Sequence, residues 1–277
     1  MTIVIYRGIG KNKPSAQYRP QFQRDSVADE VRPKMARGER GTRVGAARRF
    51  QRRARQDSDK QALQARIIET ARKEFAAGTL ETVSIQKIAD ALGYSKGTVL
   101  KYFPTKILLH LAVKQQDLEE MTDRLERIRG RTPDAEARLR RVMEAYIDYW
   151  TQNPDHFRSL FSMVGTIEDR RFPDGVYFGE TEIARRGYEI FVASVEEFLG
   201  GAGVQVPPSL APRLAAALLS AAHGVISLPL GTPTMTWPDI RANGRLVTGN
   251  LIDAWIAKLA AARSGKGGPK ISIGTFL

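Results

Sequence analysis

The stretch VSIQKIADALGYSKGTVLKYFP, residues 83–104, constrains the fold of this chain more than any other. Ile85, Ile88, Ala89 and Leu92 recur at i, i+3, i+4 and i+7, which is one face of a helix, whereas strand alternation would place Lys87 with Ile85 and Asp90 with Ile88. Ser84 stands where an N-cap belongs, its hydroxyl able to accept from a free backbone N–H, and Gly93 stands where a left-handed C-terminal residue belongs. Ser95 then caps a second short helix, KGTVLKYF, which Pro104 ends, and Thr105 caps a third, KILLHLAVKQQDLEEM. Helix, tight glycine turn and helix is the helix-turn-helix arrangement, whose second helix lies in the DNA major groove with its first turn at the base edges. Lys96, Gly97 and Thr98 occupy that first turn, Lys101 and Tyr102 lie further along, and Val99, Leu100 and Phe103 are available to pack the helix.

GYSKG, residues 93–97, also fits G-x-S-x-G, the turn that presents a nucleophilic serine in an α/β-hydrolase. That turn requires a buried strand running into its first glycine, and the spacing before Gly93 is helical. A serine hydrolase is therefore a disfavoured alternative, and an order of Ser95, Asp174 and His223 carries no weight in a chain of 277 residues.

The segment ARIIETARKEFAAGTLETVSIQKIADALGYSKGTVLKYFPTKILLHLAV resembles the N-terminal domain of TetR/AcrR-type transcriptional repressors. The resemblance rests on Ile67, Ala71 and Phe75, on the Ile88-Ala89 pair, and on Ser95-Lys96-Gly97-Thr98 leading to Phe103-Pro104 and Lys106. Two positions depart from the pattern. Thr79-Leu80 replaces the glycine-aromatic pair usual after the first helix, and Leu100 replaces a tyrosine that supplies a phosphate contact, a role left to Tyr102. The resemblance implies that Ser84, Ser95, Lys96, Gly97, Thr98, Lys101, Tyr102 and Lys106 meet DNA, with Lys106 on phosphate at the start of the flanking helix.

The formal charge is +13, and residues 1–60 hold 16 Lys+Arg against 6 Asp+Glu, so the excess belongs to the N-terminus. RRFQRRARQ, residues 48–56, is its densest part and is attracted to phosphate whatever the base sequence. Little apolar periodicity and many Arg, Gly, Pro and Gln give residues 1–56 the composition of a disordered extension. A basic architectural nucleic-acid binder acting through this arm is the other alternative function.

Beyond the reading unit the pattern stays helical. TPDAEARLRRVMEAYIDYW begins at a Thr cap with Pro in its first turn, and DHFRSLFSM, ETEIARRGYEIFVASVEEFL, a helix from Ser209 to about Leu228 and one from Pro238 to about Ala262 follow. GTIEDRRFPDGVYFGE and GGAGVQVPP read as breaks. The expected architecture is all-α: an extension over 1–56, a three-helix helix-turn-helix domain over 57–113, a larger helical ligand-binding and dimerisation domain over 114–262, and a flexible tail over 263–277. Dimerisation through the last two helices and a small ligand in the larger domain are what the family resemblance implies. AAHGVISLPL also resembles a His-Gly motif of one C-terminal subgroup, with Ala222 in place of its tryptophan.

No disulfide or thiolate metal site is possible with zero cysteines, and His110, His156 and His223 lack metal-ligand spacing, so no metal or cofactor is expected. LAAALLSAAHGVISLPL is interrupted by Ser220, His223 and Gly224, and the opening MTIVIYRGIG lacks a cationic start, so neither a membrane span nor a secretory signal is expected and the chain is placed in the cytoplasm. Tyr149, Phe161 and His223, each on a different predicted helix, are the candidates to line a pocket for a largely apolar organic ligand of low or negative charge.

Overall fold

The computed structural model describes residues 42–78, 80–161, 177–202 and 207–264, with side chains from residue 57 onward. The expectations for residues 1–41, for 162–176, for 203–206 and for the tail from 265, together with Thr79 and Asp174, lie outside the described residues. The described chain is helical: α1 Thr42–Ala77, α2 Ile85–Leu92, α3 Lys96–Tyr102, α4 Lys106–Arg131, α5 Ala135–Gln152, α6 Pro154–Phe161, a single 3-10 turn Phe178–Glu180, α7 Glu182–Gly201, α8 Leu210–Gly231 and α9 Ile240–Ser264.

The second half of α1, with α2, α3 and the start of α4, closes on a small core of Ile67, Ala71, Phe75, Ile88, Ala89, Val99, Phe103, Leu109 and Val113. From this head α4 runs on into a larger bundle, burying Leu118, Met121 and Leu125 there. The larger core is aromatic, with Tyr146, Trp150, Phe157, Phe191, Phe198 and Trp255 all buried. Rings pack edge to face, as in Tyr146 on Phe191 at 5.4 Å and Tyr149 on Trp150 at 4.8 Å, the arrangement their quadrupoles favour. Helices α5 and α9 approach so closely that a Cβ placed on Gly244 would stand 3.0 Å from Cγ2 of Ile147.

Three boundaries differ from the sequence reading. Helix α1 starts at Thr42, so residues 42–56, read as part of a disordered extension, have helical backbone. Their Ala, Arg and Gln content favours a helix by intrinsic propensity, which an apolar-periodicity test does not register. Thr132 does not cap α5: it closes α4, its hydroxyl donating to the Ile128 carbonyl at 3.0 Å, and Asp134 caps α5 by accepting from Ala137 N at 2.7 Å. Helix α8 extends past Leu228 through Pro229 to Gly231, and at 22 residues it is long and apolar enough to cross a membrane by length and composition, contrary to the expectation from its Ser, His and Gly. One side of it packs into the bundle through Leu214, Leu218, Ala222 and Ile226.

Candidate nucleic-acid interface

Every helix start in the head is fixed by a hydroxyl. Ser84 Oγ accepts from Lys87 N, Ser95 Oγ from Thr98 N and Thr105 Oγ1 from Leu108 N, each at 3.1 Å. Gly93 takes φ 72°, the left-handed conformation that a Cβ disfavours, and its N–H returns to the end of α2. This turn sets α3 so that Val99 is wholly buried and Phe103 nearly so, while Lys96, Gly97 and Lys101 are exposed and Thr98 half-buried. Leu100 and Tyr102 are half-buried and rest against the head core. The Ser95 hydroxyl also pairs with Thr98 Oγ1 at 2.9 Å. It terminates a helix-to-helix turn with α2 before it, so GYSKG lacks the strand that a nucleophile elbow needs.

Lys106 behaves differently from a free phosphate ligand. Its ammonium donates to the Val83 carbonyl at 2.9 Å and to that of Glu81 at 3.4 Å, fastening the start of α4 to the connection before α2. Tyr94 was not singled out by sequence. It is exposed in the turn before α3, and the Arg66 guanidinium carbon lies 5.9 Å from its ring centroid, within cation–π range. An aromatic ring inside a glycine turn was the available signal.

Behind the head lies a second feature that spacing alone did not expose. Arg72 of α1 and Asp117 of α4 are buried together, with Nε donating to Oδ1 at 2.6 Å, and Arg72 also pairs with Glu69. Tyr149 of α5 donates to the Asp117 carbonyl at 3.1 Å and meets His156 Nδ1 of α6 at 3.0 Å. Burial pushes the Asp117 carboxyl up to about 7, with Arg72 pulling it only part of the way back. Burial pushes the His110 imidazole down to about 4, helped by Lys114, and lowers His156 and His223 in the same way. These groups tie α1 to α4, α5 and α6, so the head and the larger bundle share one polar junction.

A family model described as bacterial regulatory proteins, tetR family, matches residues 67–113, and one described as Tetracyclin repressor-like, C-terminal domain, matches residues 139–244. The chain belongs to the TetR family. It is accordingly a transcription regulator that binds DNA through its helix-turn-helix. It is 29% identical over 95 residues to the HTH-type transcriptional activator FasR of Mycolicibacterium smegmatis, a match covering 34% of this chain and 43% of that one, so it spans under half the length of this curated relative. Among solved structures, FadR of Bacillus subtilis in complex with stearoyl-CoA has a TM-score of 0.56 at 16% identity, covering 68% of this chain and 96% of that one. PfmR of Thermus thermophilus has 0.52 at 21%, covering 67% and 96%. At these identities the likeness is one of fold.

In this TetR-family chain the three sequence-chosen pocket residues separate into two places. Phe161 and His223 are in contact, ring centroids 4.5 Å apart, and Phe157 joins them at 4.9 Å from His223. Tyr149 is instead buried in the polar junction, with Trp150, which lies 5.3 Å from Phe161, between it and this cluster. A separate open groove of about 260 Å³ runs along α8 and its connection to α9, lined by Gly224, Leu228, Trp237, Ile240 and Asn243 among others. Leu228 at this groove, with Met235 and Leu246, is strongly exposed, at 55%, 58% and 60% respectively, an apolar surface formed by the end of α8, its connection and the start of α9.

Proposed function

We propose that this regulator binds a near-palindromic operator as a homodimer, represses transcription there, and is released when a small organic ligand enters the larger domain. The carrying observation is the Ser95-Lys96-Gly97-Thr98 turn, which faces away from the head core while Val99 and Phe103 behind it are buried. A rigidly seated helix with a free first turn can present donors to base edges. Lys96 and Thr98 would read bases, Lys101 and Tyr102 would approach the backbone, Ser84 and Ser95 would set the helix starts, and Lys106 would act by holding the connection before α2 in place. The dimer follows from the apolar outer surface of α8 and α9, since a two-fold pair places two heads on successive faces of the duplex. The chain acts in the cytoplasm by binding rather than catalysis.

The ligand proposed is largely apolar, of modest size and low or negative charge. Phe157, Phe161 and His223 supply rings to receive it, and His223, lowered by burial, is neutral near pH 7. Acyl-CoA thioesters belong in the screen because the Bacillus subtilis FadR structure contains one. Footprinting upstream of the chain's own gene tests the reading: a two-fold symmetric protected site is expected, and protection with no symmetry would favour an architectural binder. A reporter driven from that site reads the sign of regulation, which matters because the FasR relative is named an activator. A compound that raises the melting temperature without releasing the operator would defeat the sensor reading.

A further inference from the structure

The length of α1 exceeds anything the head requires. Among the described side chains, residues 57–62 are all exposed, Leu63 is the first to rest against the head core and Ile67 the first to be buried, so the helix from Thr42 to Ala62 precedes the part that builds that core. At about 1.5 Å per residue this projecting part is roughly 30 Å long. It carries no apolar stripe, and residues 42–56 contain Arg43, Arg48, Arg49, Arg52, Arg53 and Arg55 with no Asp or Glu.

The charge pattern works against this helix, although its intrinsic propensity favours one. Arg48 with Arg52 and Arg49 with Arg53 stand at i, i+4, where like charges destabilise by a few tenths of a kcal/mol per pair. The cations also crowd the N-terminal end, where the helix dipole is already positive. Such a helix gains stability from a partner that is anionic along its length. A membrane surface fits poorly, because an interfacial helix needs an apolar face beside its basic one.

The position of the helix selects among anions. Arg66, the last exposed residue before the core-facing part, lies over Tyr94, and Tyr94 immediately precedes the Ser95 cap of α3. The projecting part therefore leaves the head beside the turn that opens the reading helix. Arg55 and Arg48 lie about 16 and 27 Å along the axis from Arg66, between about half and one turn of B-DNA. We propose that the basic part of α1 binds the sugar–phosphate backbone of the duplex flanking each half-site, independent of base sequence, and that its helix is strengthened by that contact. The proposal deepens the DNA-binding reading and rests on it.

The test uses the full chain and a variant with Arg48→Gln, Arg49→Gln, Arg52→Gln, Arg53→Gln and Arg55→Gln, since Gln preserves helix propensity while removing charge. Binding to a random-sequence duplex is followed by anisotropy as salt is varied. Neutralised phosphate contacts each contribute about 0.9 to the log-log slope, so five lost contacts should make it shallower by about 4.5. Helical circular dichroism should rise when duplex is added to the full chain and not when added to the variant. Arg→Lys at the same five positions should restore the slope, which separates loss of charge from damage to the fold. A slope unchanged by the Gln substitutions overturns the proposal, as does equal binding of the full chain to anionic phosphatidylserine vesicles. If the slope falls but no symmetric footprint exists, the flank contact stands and the operator reading fails. If the footprint persists with unchanged outer edges in the Gln variant, the operator reading stands and the flank contact fails.

Discussion

The head and the larger bundle are both helical, yet they are held by different means. In the head, α2 and α3 have 8 and 7 residues, too short to persist alone, and each start is pinned by a hydroxyl cap around a small aliphatic core. In the bundle, α4, α5, α7, α8 and α9 run 18 to 26 residues and are held by interlocking rings. A short helix fixed at its cap has one seat, as a base-reading surface requires. Long helices packed through broad apolar faces can shift by small sliding movements, as a sensor requires. Between them stands the buried Arg72–Asp117 pair.

The largest effect should come from the bundle. Trp150 is fully buried against Tyr146, Tyr149, Phe157 and Phe161, and Trp150→Ala should cost about 3–5 kcal/mol in urea unfolding. Ser95→Ala in the head should cost about 1 kcal/mol. Comparable losses from the two would erase the contrast between a cap-held head and a ring-held bundle.

The junction tests whether the two parts are one cooperative unit. Removing one member of a buried ion pair strands the other, leaving Asp117 without its guanidinium or Arg72 with only the partly exposed Glu69, so Arg72→Met and Asp117→Leu should each cost about 3 kcal/mol, while the double variant should regain most of that loss. Additive losses would mean that the pair is not the link. The pH dependence carries a sign that can be worked out. Asp117 is raised in the folded chain, so its contribution is fully present below its unfolded value and fades as pH rises through about 7. His110, His156 and His223 are lowered, so theirs is present above about 6.5 and fades on acidification. Between about pH 7 and about pH 5 the two trends oppose. Asp117→Asn removes only the first, since Arg72 keeps its charge throughout, so the variant's melting temperature should fall more steeply with acid than that of the unaltered chain. Parallel curves would show that Asp117 does not titrate in this range.

The same division explains what the sequence exposed. Caps and turns are local, so Ser84, Gly93, Ser95 and Thr105 were legible from residues within four positions of each. Arg72 and Asp117 are 45 residues apart, and Lys106 bonds carbonyls more than 20 residues upstream. Such partners follow from the way α1, α2 and α4 pack. A partial signal did exist: His110, Lys114 and Asp117 recur at i, i+4 and i+7 on α4 and are all buried, a polar stripe that only a partner surface could satisfy. The partners of Tyr149 were hidden for a related reason, because helical spacing puts a ring in a core without saying which core group its hydroxyl will meet.

The smallest effect sharpens the comparison most, because it sets two glycines of the head against each other. Gly93 has φ 72°, so Gly93→Ala should strain the turn and destabilise the chain by about 1 kcal/mol. Gly97 is in ordinary helical conformation, and a Cβ there would find only Ser95 Oγ at 3.8 Å, an ordinary contact. Nothing in the head's own packing requires glycine at that position, and glycine in a helix is worse than alanine by up to about 1 kcal/mol. Gly97→Ala should therefore stabilise the chain by roughly 0.5 kcal/mol in urea unfolding. If the bare backbone is there so that α3 can lie close against the duplex, the same methyl should weaken operator binding by about tenfold, or about 1.4 kcal/mol. Stabilisation with undiminished operator affinity would remove Gly97 from the interface and leave base reading to Lys96 and Thr98.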